Sequence, residues 1–84
     1  MNFHLQSVKV YAGAVELDYR DGQDRLFTIY LRQPEGSERF DQFQRGPLRV
    51  CVWQDDALGA VMSGPISGAE MMRLAALAYS GLIA

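Results

Sequence analysis

The chain has 84 residues, 49% apolar and 21% charged, with a formal net charge of -2. That length suits one domain, residues 1–84, and the composition excludes a disordered chain. The small acidic balance disfavours a nonspecific nucleic-acid binder, which carries a clear basic excess. The single cysteine, Cys51, excludes an intrachain disulfide.

A domain of this size buries only about 60% of the surface its unfolded chain exposes. Its core is thin, and self-association would help it. The first residues lack a basic and apolar leader, and the apolar stretch at 69–84 carries Glu70 and Arg73 and is short for a bilayer. A cytoplasmic protein without a membrane span is the expectation.

Residues 8–31 read as strands. Val15, Leu17 and Tyr19 alternate with Glu16, Asp18 and Arg20, a period of two that marks a half-buried strand. Asp21-Gly22 is a turn signal, and Phe27, Ile29 and Leu31 resume the alternation. Upstream, Val8 and Val10 lead into a tight turn at Ala12-Gly13. The apolar parity shifts between Leu5 and Val8, which predicts a bulge near Gln6-Ser7. These strands form a three-stranded meander.

Residues 33–47 break the pattern between Pro34 and Pro47. The segment reads as one or two helical turns capped by Ser37, with Phe40 and Phe43 on one side, or as an irregular loop. Residues 48–53 form a strand, Asp55-Asp56 a turn, and residues 58–62 a weaker strand. Ser67-Gly68-Ala69-Glu70 is a capping box that opens a helix of strong helix formers, with Gly81 as its C′ residue and Leu82 packing back on Leu77.

The sum is an α+β domain. A twisted antiparallel sheet of about five strands, ordered βββ-α-ββ-α, carries one C-terminal helix on one face. The expected core is Val15, Leu17, Phe27, Ile29, Leu31, Val50 and Val52 against Met71, Leu74, Ala75, Ala78 and Leu82.

Few groups in the sequence are placed for chemistry. His4 is the lone histidine and has no orienting partner in sequence reach. Cys51 sits between Val50 and Val52, and only Arg49 is placed to lower its pKa. Asp18, Asp21 and Asp24 do not follow the calcium-loop spacing and read as a solvated turn. The Gly64–Gly68 junction has neither a P-loop lysine nor a dinucleotide fingerprint. No catalytic residue, metal site or cofactor is expected.

Two surfaces remain. If Phe27, Ile29, Val50 and Val52 face the helix, then Tyr30, Arg32, Arg49 and Trp53 share the opposite, open face, and they are the expected partner-binding residues. The competing reading has the Phe40/Phe43 segment folded over Trp53. The helix is the second surface. Met72, Tyr79 and Ile83 flank its apolar centre on one side, Leu74 and Leu77 on the other. The apolar arc is roughly twice the ~100° a surface helix needs. Met72, Leu77, Tyr79 and Ile83 are therefore the expected dimer or partner face, unless the 33–47 segment covers them.

The functional expectation is a small non-enzymatic regulator or inhibitor that binds a larger protein, of the kind phages and mobile elements encode. A homodimer is expected. The alternative is a nucleic-acid module built on the aromatic and arginine face. A very small enzyme using Cys51 ranks last.

Overall fold

A computed structural model describes the backbone of residues 3–83 and the side-chain surroundings of residues 3–80. The helix α1 (Gly68–Ile83) follows six strands: β1 (Phe3–Tyr11), β2 (Ala14–Asp21), β3 (Leu26–Arg32), β4 (Arg39–Arg45), β5 (Leu48–Gln54) and β6 (Gly59–Gly64). They form one antiparallel sheet in the order β1-β2-β3-β6-β5-β4. The α+β class and the C-terminal helix stand as expected. The strand number is six rather than about five, and the element order is βββ-βββ-α.

The added strand is β4, where the sequence suggested helical turns. Phe40 and Phe43 are three residues apart, which looks helical, but in a strand that spacing puts them on opposite faces. β4 is an edge strand and mostly exposed, so burial imposes no alternation on it. Its pairing with β5 sets its conformation instead. Arg45 faces Leu48 across a two-residue Gly46-Pro47 loop, and Gly46 takes a φ of 58°. Glycine in the first central position suits a hairpin turn, because side chains rarely adopt that conformation. The link from β3 to β4 crosses the ends of β6 and β5. Gln54 pins it, accepting the Glu35 N–H at 3.2 Å and donating to the Glu35 and Ser37 carbonyls.

The expected bulge is present. The β1–β2 register shifts between Leu5 and Ser7, so that Leu5 opposes Tyr19 while Val8 opposes Leu17. The shift keeps Leu5, Val8 and Val10 on one face despite their odd spacing. Asp21 organises the β2–β3 turn by accepting the Gln23 and Arg25 N–H groups, each at 2.9 Å.

The capping box also forms. The Glu70 N–H donates to Ser67 Oγ at 3.1 Å, and the Ser67 N–H returns to Glu70 Oε1 at 3.3 Å. The helix runs through Gly81 to Ile83 rather than ending before it. The proposed contact of Leu82 with Leu77 and the flank position of Ile83 fall outside the described side chains.

The helix packs on the middle of the sheet. Met71 and Ala75 meet Cys51, Trp53, Ala60 and Met62, all buried, with Ile29, Leu31, Ile66, Leu74 and Ala78 around them. Beside this core the Phe27 ring of β3 lies over Gly64 of β6, where any Cβ would overlap it. One part of the expected core is corrected. Val50 and Val52 face away from the helix, and Cys51 and Trp53 face it. The register decides this: Ile29 opposes Met62, and Met62 opposes Cys51. Directly opposed residues project to the same side. Because Val50, Cys51, Val52 and Trp53 are all apolar, alternation alone could not choose between the two parities.

Candidate functional site

The open face of the sheet holds two of the four residues expected on it. Tyr30 and Arg32 do lie on it, but Arg49 and Trp53 lie on the helix face. Tyr30 opposes Val61, which opposes Val52; Trp53 opposes Ala60, which packs under the helix. The four residues therefore make no common platform. Trp53 is only 5% exposed. Its cover comes from its position on the helix side and not from the Phe40/Phe43 segment folding across an open face.

What the open face holds instead is a polar network over β1, β2 and β3. Asp18, buried there, accepts Ser7 Oγ at 2.8 Å and Thr28 Oγ1 at 3.2 Å, with Lys9 Nζ at 3.6 Å. The Ser7 hydroxyl above all holds the Asp18 carboxyl below the ordinary aspartate range. Lys9 also reaches Glu16 at 3.3 Å. Beside this network Tyr11 and Tyr30 stack at a tilt, 6.3 Å between centroids.

The three aspartates of the first hairpin go separate ways. Asp18 enters the network, Asp21 binds Arg25 at 2.8 Å, and Asp24 sits 3.7 Å from Arg20 Nε. Arg49 lies beside the start of the helix, where its Nε donates to Gln42 Oε1 and it pairs with no carboxylate among the described residues. Its charge pulls the Cys51 pKa down, but burial pushes the thiol up by more. Cys51 is fully buried.

The helix face carries the larger signal. One 16-residue helix spans the central strands and leaves the outer ones bare. Two grooves flank it. The first, of about 250 Å³, is lined by Phe3, Tyr19, Phe27, Leu74 and Leu77 on the β1–β2 side. Leu77 at its rim is 62% exposed, and along the same face of β1 Leu5, Val8 and Val10 stay exposed, Val10 at 77%. The second groove, of about 350 Å³, lies on the β4–β5 side between Phe40, Trp53, Met72 and Tyr79, with Glu38, Arg39 and Asp55 among its polar groups. Trp53 and Tyr79 meet edge to face, 6.3 Å between centroids and 75° between planes.

The expected helix residues thus divide: Met72 and Tyr79 stand at the second groove, Leu77 at the first, and all three are exposed. The 33–47 segment covers none of them. The exposed valines of β1 and Phe40 were missed as site residues. The β1 valines carried a signal in their parity, which matches that of Leu17 and Ile29 once the bulge is counted.

No family model, characterised protein or solved structure matches the chain. Among the described residues no helix is long and apolar enough to cross a membrane.

Proposed function

We propose that this chain is a small non-enzymatic protein-binding module, a regulator or inhibitor, that docks through its helix face. The carrying observation is the mismatch between one helix and a six-stranded sheet. Leu5, Val8 and Val10 form an exposed apolar row on the helix-side face of the outer strand β1, and Leu77 stands exposed on α1 beside the first groove. Contiguous apolar surface of this kind marks protein contacts. The first partner to consider is a second copy, which would relieve the thin core of so short a chain.

Chemistry has weak support. His4 is on β1 and Cys51 on β5, four strands away, roughly 19 Å at the usual strand spacing. The nucleic-acid alternative loses support because Arg49 and Trp53 turn away from Tyr30 and Arg32.

Light scattering at micromolar concentration should give a dimer mass, and Leu77→Glu or Val10→Glu should give a folded monomer. A wild-type monomer whose partner capture from host lysate is untouched by both substitutions would defeat the proposal.

A further inference from the structure

The second groove has a chemistry that the bare β1 flank lacks. Its walls are aromatic and thioether carbon: Phe40 and Trp53 lie side by side on paired strands, and Tyr79 and Met72 close it from the helix. The Trp53 and Tyr79 rings meet edge to face at 75°, and with Trp53 only 5% exposed the accessible aromatic walls are mainly Phe40 and Tyr79, with Trp53 at the base. Ala75 and Ala76 leave the space between them open.

The charge around this space is negative. Glu38 and Asp55 line it. Arg39 also lines it, but its guanidinium is bound to Asp41, with Nε at 3.0 Å. Asp55 is fixed from several directions. It accepts the Ala57 N–H at 2.8 Å and the Leu58 N–H at 2.9 Å, while the Tyr79 hydroxyl approaches its second oxygen at 3.4 Å. The Ala57 N–H above all keeps this carboxyl below the usual range, so it stays ionised at neutral pH.

We infer that this groove binds an alkylated ammonium group between Phe40, Trp53 and Tyr79, with Asp55 and Glu38 supplying the opposing charge. Aromatic faces attract cations through the ring quadrupole, and quaternary ammonium is the cation best matched to such walls. A primary ammonium is a poor match, because its three N–H donors would find carbon inside and pay for lost hydration. An alkylated ammonium has few or no donors to leave unsatisfied. A neutral apolar group would fill the same space and gain nothing from the two carboxylates. The group could arrive on a free small molecule or on a methylated lysine of another protein, and the two sources can be separated.

Trp53 is the only tryptophan, so its fluorescence reports on the groove directly. The full chain is titrated with choline, with its uncharged isostere 3,3-dimethyl-1-butanol, and with the amides of Nε-trimethyl-lysine and of lysine. At least one of the two quaternary probes should bind about tenfold more tightly than the isostere. Tighter binding of choline points to a free ligand, and tighter binding of trimethyl-lysine to a protein-borne one. Tyr79→Leu and Asp55→Asn should each remove most of the preference while the thermal unfolding transition remains cooperative. Equal binding of the isostere, silence of both quaternary probes at millimolar concentration, or an undiminished preference in folded Tyr79→Leu would each overturn the inference. None of these outcomes bears on dimer formation through the β1 flank, which is read separately by light scattering.

Discussion

β1, β2 and β3 form one antiparallel meander, and β4, β5 and β6 form another; the two meet antiparallel where Tyr30 opposes Val61. In this arrangement β1 and β4 occupy equivalent edges of the sheet. They have been given different surfaces. β4 presents Arg39, Asp41, Gln42, Gln44 and Arg45 around the exposed Phe40 and Phe43, and its charged groups discourage a further strand from adding. β1 presents Leu5, Val8 and Val10 on its helix side, while its one lysine, Lys9, stays exposed on the other face and pairs with Glu16 and Asp18. The second meander also supplies most of the buried core, from Cys51 and Trp53 on β5 and Ala60 and Met62 on β6. The first supplies apolar groups that remain partly bare. The difference separates two jobs: one half holds the helix, and the other keeps apolar surface available.

If that division is right, truncations should be costly in the second meander. Met62→Ala removes a fully buried side chain that touches the helix and both neighbouring strands, and it should cost about 2–5 kcal/mol. Urea unfolding followed by Trp53 fluorescence measures it. A cost below that of an ordinary surface change would mean that the core lies elsewhere.

The first meander has its own stabilising element on the open face. Asp18→Ala leaves the Ser7 and Thr28 hydroxyls without their shared acceptor and should cost about 1–3 kcal/mol. The sign of the pH effect follows from the depressed pKa of Asp18. Its contribution is fully present above the unfolded-state value, about 3.9, and is lost as pH falls through the lower folded-state value. Wild type should therefore lose stability toward strong acid more steeply than Asp18→Asn. Parallel acid profiles for the two proteins would remove Asp18 from the explanation.

Local signals in the sequence carried over to the structure, and those that depend on neighbours did not. The Ser67–Glu70 box and the bulge beside Ser7 are written within a few residues, since each satisfies or displaces a backbone group nearby. β4 depends on β5, and nothing within residues 39–45 encodes a buried face. Only Gly46-Pro47, two residues between paired strands, hinted at a hairpin there. The facing of β5 depends on how β6 inserts between β3 and β5, a nonlocal event invisible in four consecutive apolar residues. For the same reason the aromatic groove could not be read ahead: it unites Phe40 and Trp53 from paired strands with Met72 and Tyr79 from the helix.

The smallest expected effect on stability is the most telling about the first meander. Val10 projects from the edge strand on the helix side, 77% exposed, opposite a half-buried Val15. Val10→Thr keeps the branched shape and the strand preference, and it exchanges a methyl for a hydroxyl that water can reach. Stability of the isolated chain should move by less than about 0.5 kcal/mol, because little of this side chain is removed from water on folding. If β1 is a contact surface, the same substitution should weaken association, since in the complex the hydroxyl is buried without a partner. A concentration series in light scattering, run beside the urea titration, separates the two quantities. Unchanged stability with weaker association sharpens the contrast between the meanders. A substantial loss of stability would place Val10 in the chain's own core, and unchanged association would leave β1 a solvated edge like β4.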